Sequence, residues 1–193
     1  MRAGGHGSCG RELATADVIY SVAVSLDGFV ARPDVDLDWL GPFMASGDDY
    51  TGAFIDSMGA LLVGSRTYAE SEQTMEWFGR GPCSSKPVYV FTSRELPIAG
   101  SNVTLTDASP QRFVAELDER GVTQAGLLSG PSLLSSFRTA GLVTGYFLGI
   151  IPVVLGGGLP LFGSPHPPEH LRLADSRVWE NGVVQLRYEV IKT

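Results

Sequence analysis

The sequence predicts an α/β fold with a mostly parallel central sheet, followed by a C-terminal antiparallel hairpin. Short apolar runs alternate with amphipathic segments between residues 18 and 154, which is typical of strand–helix–strand units. Two further strand-like segments are then joined by Asn181-Gly182, a dipeptide favoured in tight hairpin turns. The 193 residues suffice for one domain with its own core, so neither a disulfide nor a metal is needed to stabilise it.

Strands are predicted wherever a short run of apolar and β-branched residues is bounded by turn residues. The first of them, Val18–Ser25, is followed by Leu26-Asp27-Gly28, which predicts a turn. The other parallel strands are predicted at Ala60–Val63, Pro87–Thr92, Asn102–Thr106, Ala125–Leu128 and Leu142–Val154. The hairpin strands are predicted at Leu171–Trp179 and Val183–Ile191.

Helices are predicted between these strands from capping residues and apolar spacing. Ser46 is a typical capping residue for a helix that runs to Met58. Asp48 and Asp49 stand in the first turn of that helix, where carboxylates complement the helix dipole. The other predicted helices open at Ser65-Arg66-Thr67, run from Ser109-Pro110 to Gly121, and run from the Ser129–Ser132 segment through Ala140.

The first residues differ from the rest in composition. Residues 1–16 are rich in glycine and in small or polar residues, so we predict a flexible extension before a single domain at residues 17–193. Gly5–Gly10 matches the G-x-G-x-x-G phosphate-binding pattern. Because no strand precedes that match, we interpret it as accidental.

Charge and cysteine content narrow the range of partners. The chain has 14 basic and 21 acidic residues, a net charge of −7, which argues against binding to nucleic acid or to an anionic membrane. Its two cysteines, Cys9 and Cys83, form no C-x-x-C pair, which argues against a thiolate zinc site and favours a reducing compartment. No apolar run reaches transmembrane length and no secretory signal is apparent. We therefore expect a cytoplasmic protein.

Similar polar residues follow three of the predicted strands. They are Gly64-Ser65-Arg66-Thr67, Thr92-Ser93-Arg94 and Ser129-Gly130-Pro131-Ser132. Backbone N–H groups at a helix start attract anions, and arginine adds a bidentate fork. In a parallel sheet, ligands bind beyond the carboxyl ends of the strands. Each segment alone is explained by helix capping, but together they predict a phosphate-rich ligand, and a dinucleotide in particular.

Four segments resemble the bacterial dihydrofolate-reductase-like family, which includes the reductase domain of the riboflavin-biosynthesis deaminase–reductase. They are SVAVSLDGFVA at 21–31, LVGSRTY at 62–68, VYVFTS at 88–93 and IPVVLGGGLPLF at 151–162. The match extends from about Asp17 to Lys192, with the motifs in family order and spacing. It implies a dihydrofolate-reductase-like three-layer fold, an NADPH-dependent reductase, a small-molecule substrate and a homodimer.

The resemblance also implies roles for the strand-end residues. The family's G-x-x-T helix start, which contacts the cofactor pyrophosphate, corresponds to Gly64, Ser65, Arg66 and Thr67. The segment that contacts the adenosine 2′-phosphate corresponds to Thr92, Ser93 and Arg94. This chain has Ser129-Gly130-Pro131 where the family has a Gly-Gly-Gly run, and the proline removes one N–H donor. Gly130, Ser132 and Leu133 remain candidates for cofactor contact there.

The substrate side has fewer candidates. Asp27 matches the family's loop beside substrate and nicotinamide, although a turn aspartate can equally hydrogen-bond its own backbone. Asp48 or Asp49 falls near the carboxylate that holds the pterin in dihydrofolate reductase, although both also suit a first helical turn. Trp39 and Tyr50 could stack on a flat heterocycle or belong to the core.

The sequence lacks the residue patterns typical of a metal site or of a deaminase. Prolines at 165, 167 and 168 prevent the helix that would align His166 and His170 as metal ligands, so we expect no metal. The zinc signature of deaminases is absent, so the resemblance implies a stand-alone reductase.

The resulting prediction is hydride transfer from NADPH to a small heterocycle. We favour a pyrimidine of the riboflavin pathway, as in a 5-amino-6-(5-phosphoribosylamino)uracil reductase. Two alternatives stay open: reduction of dihydrofolate, and an inactive nucleotide-binding module with the same fold. The apolar strand Tyr146–Leu155 and the C-terminal hairpin are candidates for a dimer interface.

Overall fold

The structure is a computed structural model that describes residues 16–34, 36–44 and 51–191. At its centre lies the parallel sheet that the sequence predicts. Strands predicted from apolar runs occur within one or two residues of the predicted bounds, except that the long strand ends at Ile151. The strands are β1 Asp17–Ser25, β2 Phe29–Ala31, β3 Ala60–Gly64, β4 Val88–Phe91, β5 Val103–Thr106, β6 Gln124–Leu128, β7 Val143–Ile151, β8 Leu159–Pro160, β9 Leu171–Val178 and β10 Val184–Val190.

Eight of these strands form one sheet in the order β5-β4-β3-β6-β1-β7-β10-β9. The six strands from β5 to β7 are parallel, and β10 runs antiparallel to both β7 and β9. This topology confirms the predicted parallel sheet with a hairpin at its edge. Strands β2 and β8 pair separately, which the sequence did not predict.

The hairpin turn has the geometry that its sequence favours. Gly182 has a φ of +87°, a conformation that residues with a side chain rarely adopt. The Asn181 side-chain oxygen accepts a hydrogen bond from the Val183 N–H at 3.2 Å. Together these residues fix the register of β9 against β10.

Helices cover both faces of the sheet and make three layers. The described helices are α1 Gly41–Met44, α2 Gly52–Ser57, α3 Ser65–Tyr68, α4 Glu72–Gly79, α5 Pro110–Glu119 and α6 Pro131–Thr139, with 3-10 turns at Asp38–Leu40 and Pro82–Ser85. Helices α5 and α6 pack on one face, and α2, α3 and α4 pack on the other. None of these helices is long and apolar enough to cross a bilayer.

Successive side chains along each strand point to opposite faces of the sheet, so the hydrophobic core has two parts, one on each face. On β1, Val18 and Tyr20 belong to the core beneath α5 and α6, whereas Ile19 belongs to the core on the opposite face. Strand β3 does the same with Leu62 on one side and Leu61 on the other. Continuous apolar strands are therefore expected, because a parallel sheet is buried on both faces.

The predicted helix Ser46–Met58 is only partly described. Residues 45–50 lie outside the described ranges, and with them Asp48, Asp49 and Tyr50. The described part ends at Ser57, because Met58 is extended (φ −86°, ψ 141°). That bend lets the Gly59 N–H donate to the Gln124 carbonyl at 2.9 Å.

The sequence did not predict helix α4. Its capping residue is Ser71, whose side chain accepts a hydrogen bond from the Thr74 N–H at 3.1 Å. A serine before a short amphipathic stretch was the available signal.

Candidate functional site

The strand order brings the predicted site segments side by side. Strands β4, β3, β6 and β1 are neighbours, and each is followed by one predicted segment at its carboxyl end. The order along the edge is Thr92–Arg94, Gly64–Thr67, Ser129–Leu133 and then Asp27. Residues that are far apart in sequence therefore share one edge of the sheet, where α/β proteins bind their ligands.

The segment after β3 is packed against the segment after β6. Gly64 is the capping residue of α3, and a Cβ built on it would lie 3.6 Å from the Ser129 Cβ and 3.9 Å from the Leu133 Cβ. Ser65 and Thr67 are half-buried at the start of α3, while Arg66 is exposed. Within the described ranges the Arg66 guanidinium makes no hydrogen bond or ion pair. It is therefore available to an anion at this edge.

The segment after β4 is stabilised by hydrogen bonds of the Thr92 side chain. The Thr92 hydroxyl accepts a hydrogen bond from the Arg94 N–H at 3.0 Å and donates one to the Arg94 carbonyl at 3.1 Å. Ser93 and Arg94 are exposed on this tight turn. Among the described residues no carboxylate pairs with the Arg94 guanidinium. This edge of an acidic protein thus presents two unpaired arginines.

The segment after β6 leads into α6. Gly130 is the capping residue and Pro131 is the first helical residue, a position whose N–H has no partner within a helix. The proline therefore removes a donor that the helix itself does not use, and the N–H groups of Ser132 and Leu133 remain. A Cβ built on Gly130 would meet nothing within 4 Å, so space is open in front of this turn.

Ser129 is held in place by a hydrogen bond from β1. It is buried, and its carbonyl accepts a hydrogen bond from the Tyr20 hydroxyl at 2.9 Å. Burial, with a smaller contribution from Tyr146, raises the pKa of Tyr20, so this phenol stays a donor. The bond ties the end of β6 to the middle of β1.

Asp27 connects two loops rather than only its own turn. One carboxylate oxygen accepts from the Ser25 hydroxyl at 2.7 Å and from the Leu155 N–H at 3.0 Å. The other oxygen accepts from the Gly156 N–H at 2.7 Å. The Ser25 hydroxyl has the largest effect on the pKa of Asp27 and lowers it. Desolvation opposes this effect, and the backbone N–H groups of Leu155 and Gly156 lower the pKa further. The carboxylate is ionised at neutral pH and serves as an acceptor.

The glycine-rich loop beyond β7 lies directly against β2. Gly158 has a φ of +142°, and a Cβ on it would lie 2.1 Å from the Ala31 carbonyl oxygen. The turn after β1 is bonded to the same loop, since the Leu26 N–H donates to Val153 and the Leu161 N–H donates to Gly28. The two loops form one unit at the carboxyl ends of β1 and β7.

Trp39 is the described member of the predicted aromatic pair, because Tyr50 lies outside the described ranges. It is 5% exposed and packs with Ile151 and Val183 in a small apolar cluster beside the end of β7. Among the described residues its buried indole nitrogen has no hydrogen-bond partner. This burial favours the interpretation of Trp39 as a core residue over stacking on a substrate, whereas the roles of Asp48 and Asp49 stay predictions.

A partly buried polar cluster near α6 was not predicted from the sequence. The Arg138 guanidinium contacts the Glu169 carboxylate at 3.2 Å, and the Tyr146 hydroxyl donates to the same carboxylate at 2.5 Å. Burial, followed by the bond to Glu169, raises the pKa of Tyr146. A nitrogen of His166 lies 3.1 Å from the Arg138 carbonyl, so this histidine is part of the cluster. The cluster joins the 161–170 segment to α6 and β7.

Cys83 is not a nucleophile candidate. It is fully buried beneath the sheet, and burial raises the pKa of its thiol to about 12. Protonated thiols are poor nucleophiles.

Known proteins resemble this chain over nearly its whole length. The model of the RibD C-terminal domain family matches residues 16–185. An uncharacterized protein of Bacillus subtilis (strain 168), YwjB, is 30% identical over 171 residues, which cover 89% of this chain and 95% of YwjB.

Two solved structures have the same fold. A putative riboflavin biosynthesis protein from Shewanella sp. PV-4 superposes with a TM-score of 0.76 at 24% identity, covering 91% of this chain and 99% of that one. A diaminohydroxyphosphoribosylaminopyrimidine deaminase/5-amino-6-(5-phosphoribosylamino)uracil reductase from Thermotoga maritima gives 0.69 at 17% identity, covering 92% of this chain and 57% of that one. The fold is therefore the dihydrofolate-reductase-like fold expected from the sequence, and the chain belongs to the RibD C-terminal domain family.

Proposed function

We propose that this protein is an NADPH-dependent reductase that transfers a hydride to a small heterocycle of the riboflavin pathway, as in a 5-amino-6-(5-phosphoribosylamino)uracil reductase. The observation that supports it most is the alignment of three polar strand ends along one sheet edge, with the unpaired Arg66 and Arg94 among them. Membership of the RibD C-terminal domain family supports the reaction class.

The cofactor-side residues fit a dinucleotide phosphate. The N–H groups at the starts of α3 and α6 would bind the pyrophosphate, with Gly64 and Gly130 leaving room for its approach. Arg66 would balance its charge, and Ser93 and Arg94 would bind the 2′-phosphate on their exposed turn. NADPH would supply the hydride, and the protein would supply orientation and electrostatics.

The substrate would lie next to the unit formed by the turn after β1 and the glycine-rich loop. Asp27 is exposed there, and its ionised carboxylate keeps acceptor capacity beyond that used by Ser25, Leu155 and Gly156. We propose that it orients N–H groups of the heterocycle, with Asp48, Asp49 and Tyr50 completing the site.

Arg94→Ala is expected to weaken NADPH binding roughly 10- to 100-fold while leaving NADH binding unchanged. A hydrogen bond to a charged group contributes about 1.5–3 kcal/mol, and only NADPH has the 2′-phosphate. Titration followed by nicotinamide fluorescence measures both dissociation constants. Arg112→Ala is the matched control, because that arginine is exposed on α5 and pairs with Glu116. Equal losses for NADPH and NADH, or no binding of NADPH to the unmodified protein, would contradict the proposal.

A second candidate function is a nucleotide-binding module without turnover. The observation that favours it is Ser129-Gly130-Pro131 in place of the family's glycine run. NADPH oxidation measured against aminopyrimidines, pterins including dihydrofolate, and quinones separates the two. Tight NADPH binding with no oxidation on any of them supports the module, and turnover on dihydrofolate alone supports dihydrofolate reduction.

We further propose that two copies associate through the C-terminal hairpin. Strand β9 is an edge strand whose eight residues are all exposed, among them Leu171, Leu173 and Val178. An exposed apolar edge strand is a template for pairing with another chain.

Leu173→Asp is expected to convert the dimer to a monomer, because a charge would be buried in the interface. Size-exclusion chromatography with light scattering measures the mass. The control Leu26→Asp places the same charge at another exposed leucine, on the turn after β1. A strictly monomeric unmodified protein would exclude this interface.

A further inference from the structure

Tyr68 connects the two phosphate-binding segments from within the core. It is the last residue of α3, and its side chain is completely buried. Its hydroxyl donates to the Pro97 carbonyl at 3.0 Å and accepts from the Ala99 N–H at 3.0 Å. Both partners belong to the segment that follows β4. One side chain thus joins the helix that begins at Gly64 to the segment that carries Arg94.

The base of that segment has further attachments. Leu96 packs against the apolar core on the α4 side, and the Asn102 side-chain amide donates to the Phe78 and Lys86 carbonyls. The Arg80 Nε donates to the Ala99 carbonyl at 3.0 Å. Gly79 and Gly100 are in backbone contact, since a Cβ on Gly100 would lie 2.1 Å from the Gly79 carbonyl oxygen. From Ser93 to Glu95 the side chains are exposed. The position of the exposed turn therefore depends on Thr92 at one end and, at the other, on Leu96 and on the bonds to Pro97 and Ala99.

We infer that Tyr68 is a positioning residue that sets the preference for NADPH over NADH, an inference that rests on the proposed function. A guanidinium discriminates a phosphate only when its planar fork is held at a fixed distance and angle. The Tyr68 hydroxyl fixes the segment bearing Arg94 relative to α3, which would bind the pyrophosphate. The hydroxyl thereby sets the distance between the pyrophosphate contact and the 2′-phosphate contact. NADH has no 2′-phosphate and would use only the first of these contacts.

The substitution Tyr68→Phe isolates this role. It keeps the ring, which contacts Phe78 with centroids 6.0 Å apart, and removes only the hydroxyl. We expect the dissociation constant for NADPH to rise about tenfold and that for NADH to stay within a factor of two. A purely structural contribution to the fold would change both cofactors alike.

A double-mutant cycle with Arg94→Ala is the decisive measurement. In the Arg94→Ala background, Tyr68→Phe is expected to have no further effect on NADPH, because the group that it positions is gone. The matched control is Tyr89→Phe, which removes a hydroxyl bonded to the exposed Arg120 at 2.7 Å. That variant is expected to bind both cofactors like the unmodified protein.

Arg80→Ala gives a second test in a variant whose folding is not in question, because Arg80 is exposed. It removes the other side-chain bond to Ala99, and we expect about a threefold selective loss for NADPH. Equal weakening of both cofactors, or additive effects of Tyr68→Phe and Arg94→Ala, would overturn the inference and leave the proposed function standing. If the unmodified protein does not bind NADPH, both fail.

Discussion

Glu169→Ala is expected to lower the free energy of unfolding by about 2–3 kcal/mol, between the values for surface ion pairs and for fully buried ones, because the Arg138–Glu169 pair is partly buried. The Arg138 side chain is 11% exposed and would keep its charge without a carboxylate. The Tyr146 hydroxyl, on a residue that is 1% exposed, would lose its acceptor as well. For a chain of this size the melting temperature should fall by roughly 10 °C.

Urea unfolding followed by circular dichroism measures this loss. Glu116→Ala is the control, because Glu116 pairs with Arg112 and Arg120 on the surface of α5, where such pairs contribute less than about 1 kcal/mol. Adding Arg138→Met to Glu169→Ala should recover part of the stability, since no charge is then buried alone. If Glu169→Ala costs no more than Glu116→Ala, the cluster does not stabilise the fold.

Gly158→Ala is expected to destabilise the protein by about 3 kcal/mol, the combined effect of a strained backbone and a core overlap. The added Cβ would meet the Ala31 carbonyl oxygen at 2.1 Å, in a residue with a φ of +142°. This overlap can be relieved only if the glycine-rich loop moves away from β2. Because Asp27 is bonded to Leu155 and Gly156, that movement should also displace Asp27 and lower the proposed reductase activity.

The adjacent glycine is the matched control for this variant. Gly157 has no atom within 4 Å of a built Cβ, and its φ is not in the left-handed region. Gly157→Ala should therefore change the free energy of unfolding by less than about 0.5 kcal/mol. Thermal denaturation and NADPH oxidation on any accepted substrate compare the two. Indistinguishable variants would show that the loop tolerates displacement.

Local sequence patterns were sufficient to predict which polar segments share one edge of the sheet. Gly64, Thr92 and Gly130 each follow a buried apolar run, and parallel pairing necessarily gathers such strand ends at one edge. Pro131 needed the structure for its interpretation. As a departure from the family it removes a donor, yet at the first position of α6 that donor has no partner within the helix.

Contacts between distant side chains could not be predicted. Glu169 is 31 residues from Arg138 and 23 from Tyr146, and no periodic pattern relates them. The same holds for Asp27, whose partners Leu155 and Gly156 lie 128 and 129 residues away. Turn statistics alone favour an Asp27 that caps its own turn. In the structure, backbone N–H groups distant in sequence donate two of the three described hydrogen bonds to its carboxylate.

The position of β6 has a consequence for how the chain folds. Strand β6 lies between β3 and β1, although it follows β5 in sequence. Until residues 124–128 are available, β1 and β3 have no partner strand between them, and each presents an unpaired inner edge. Such edges are templates for aggregation, and pairings this distant in sequence form slowly. The polypeptide therefore joins β1 to β3 only after residues 124–128 have been synthesised, and earlier folding intermediates keep those two strand edges exposed.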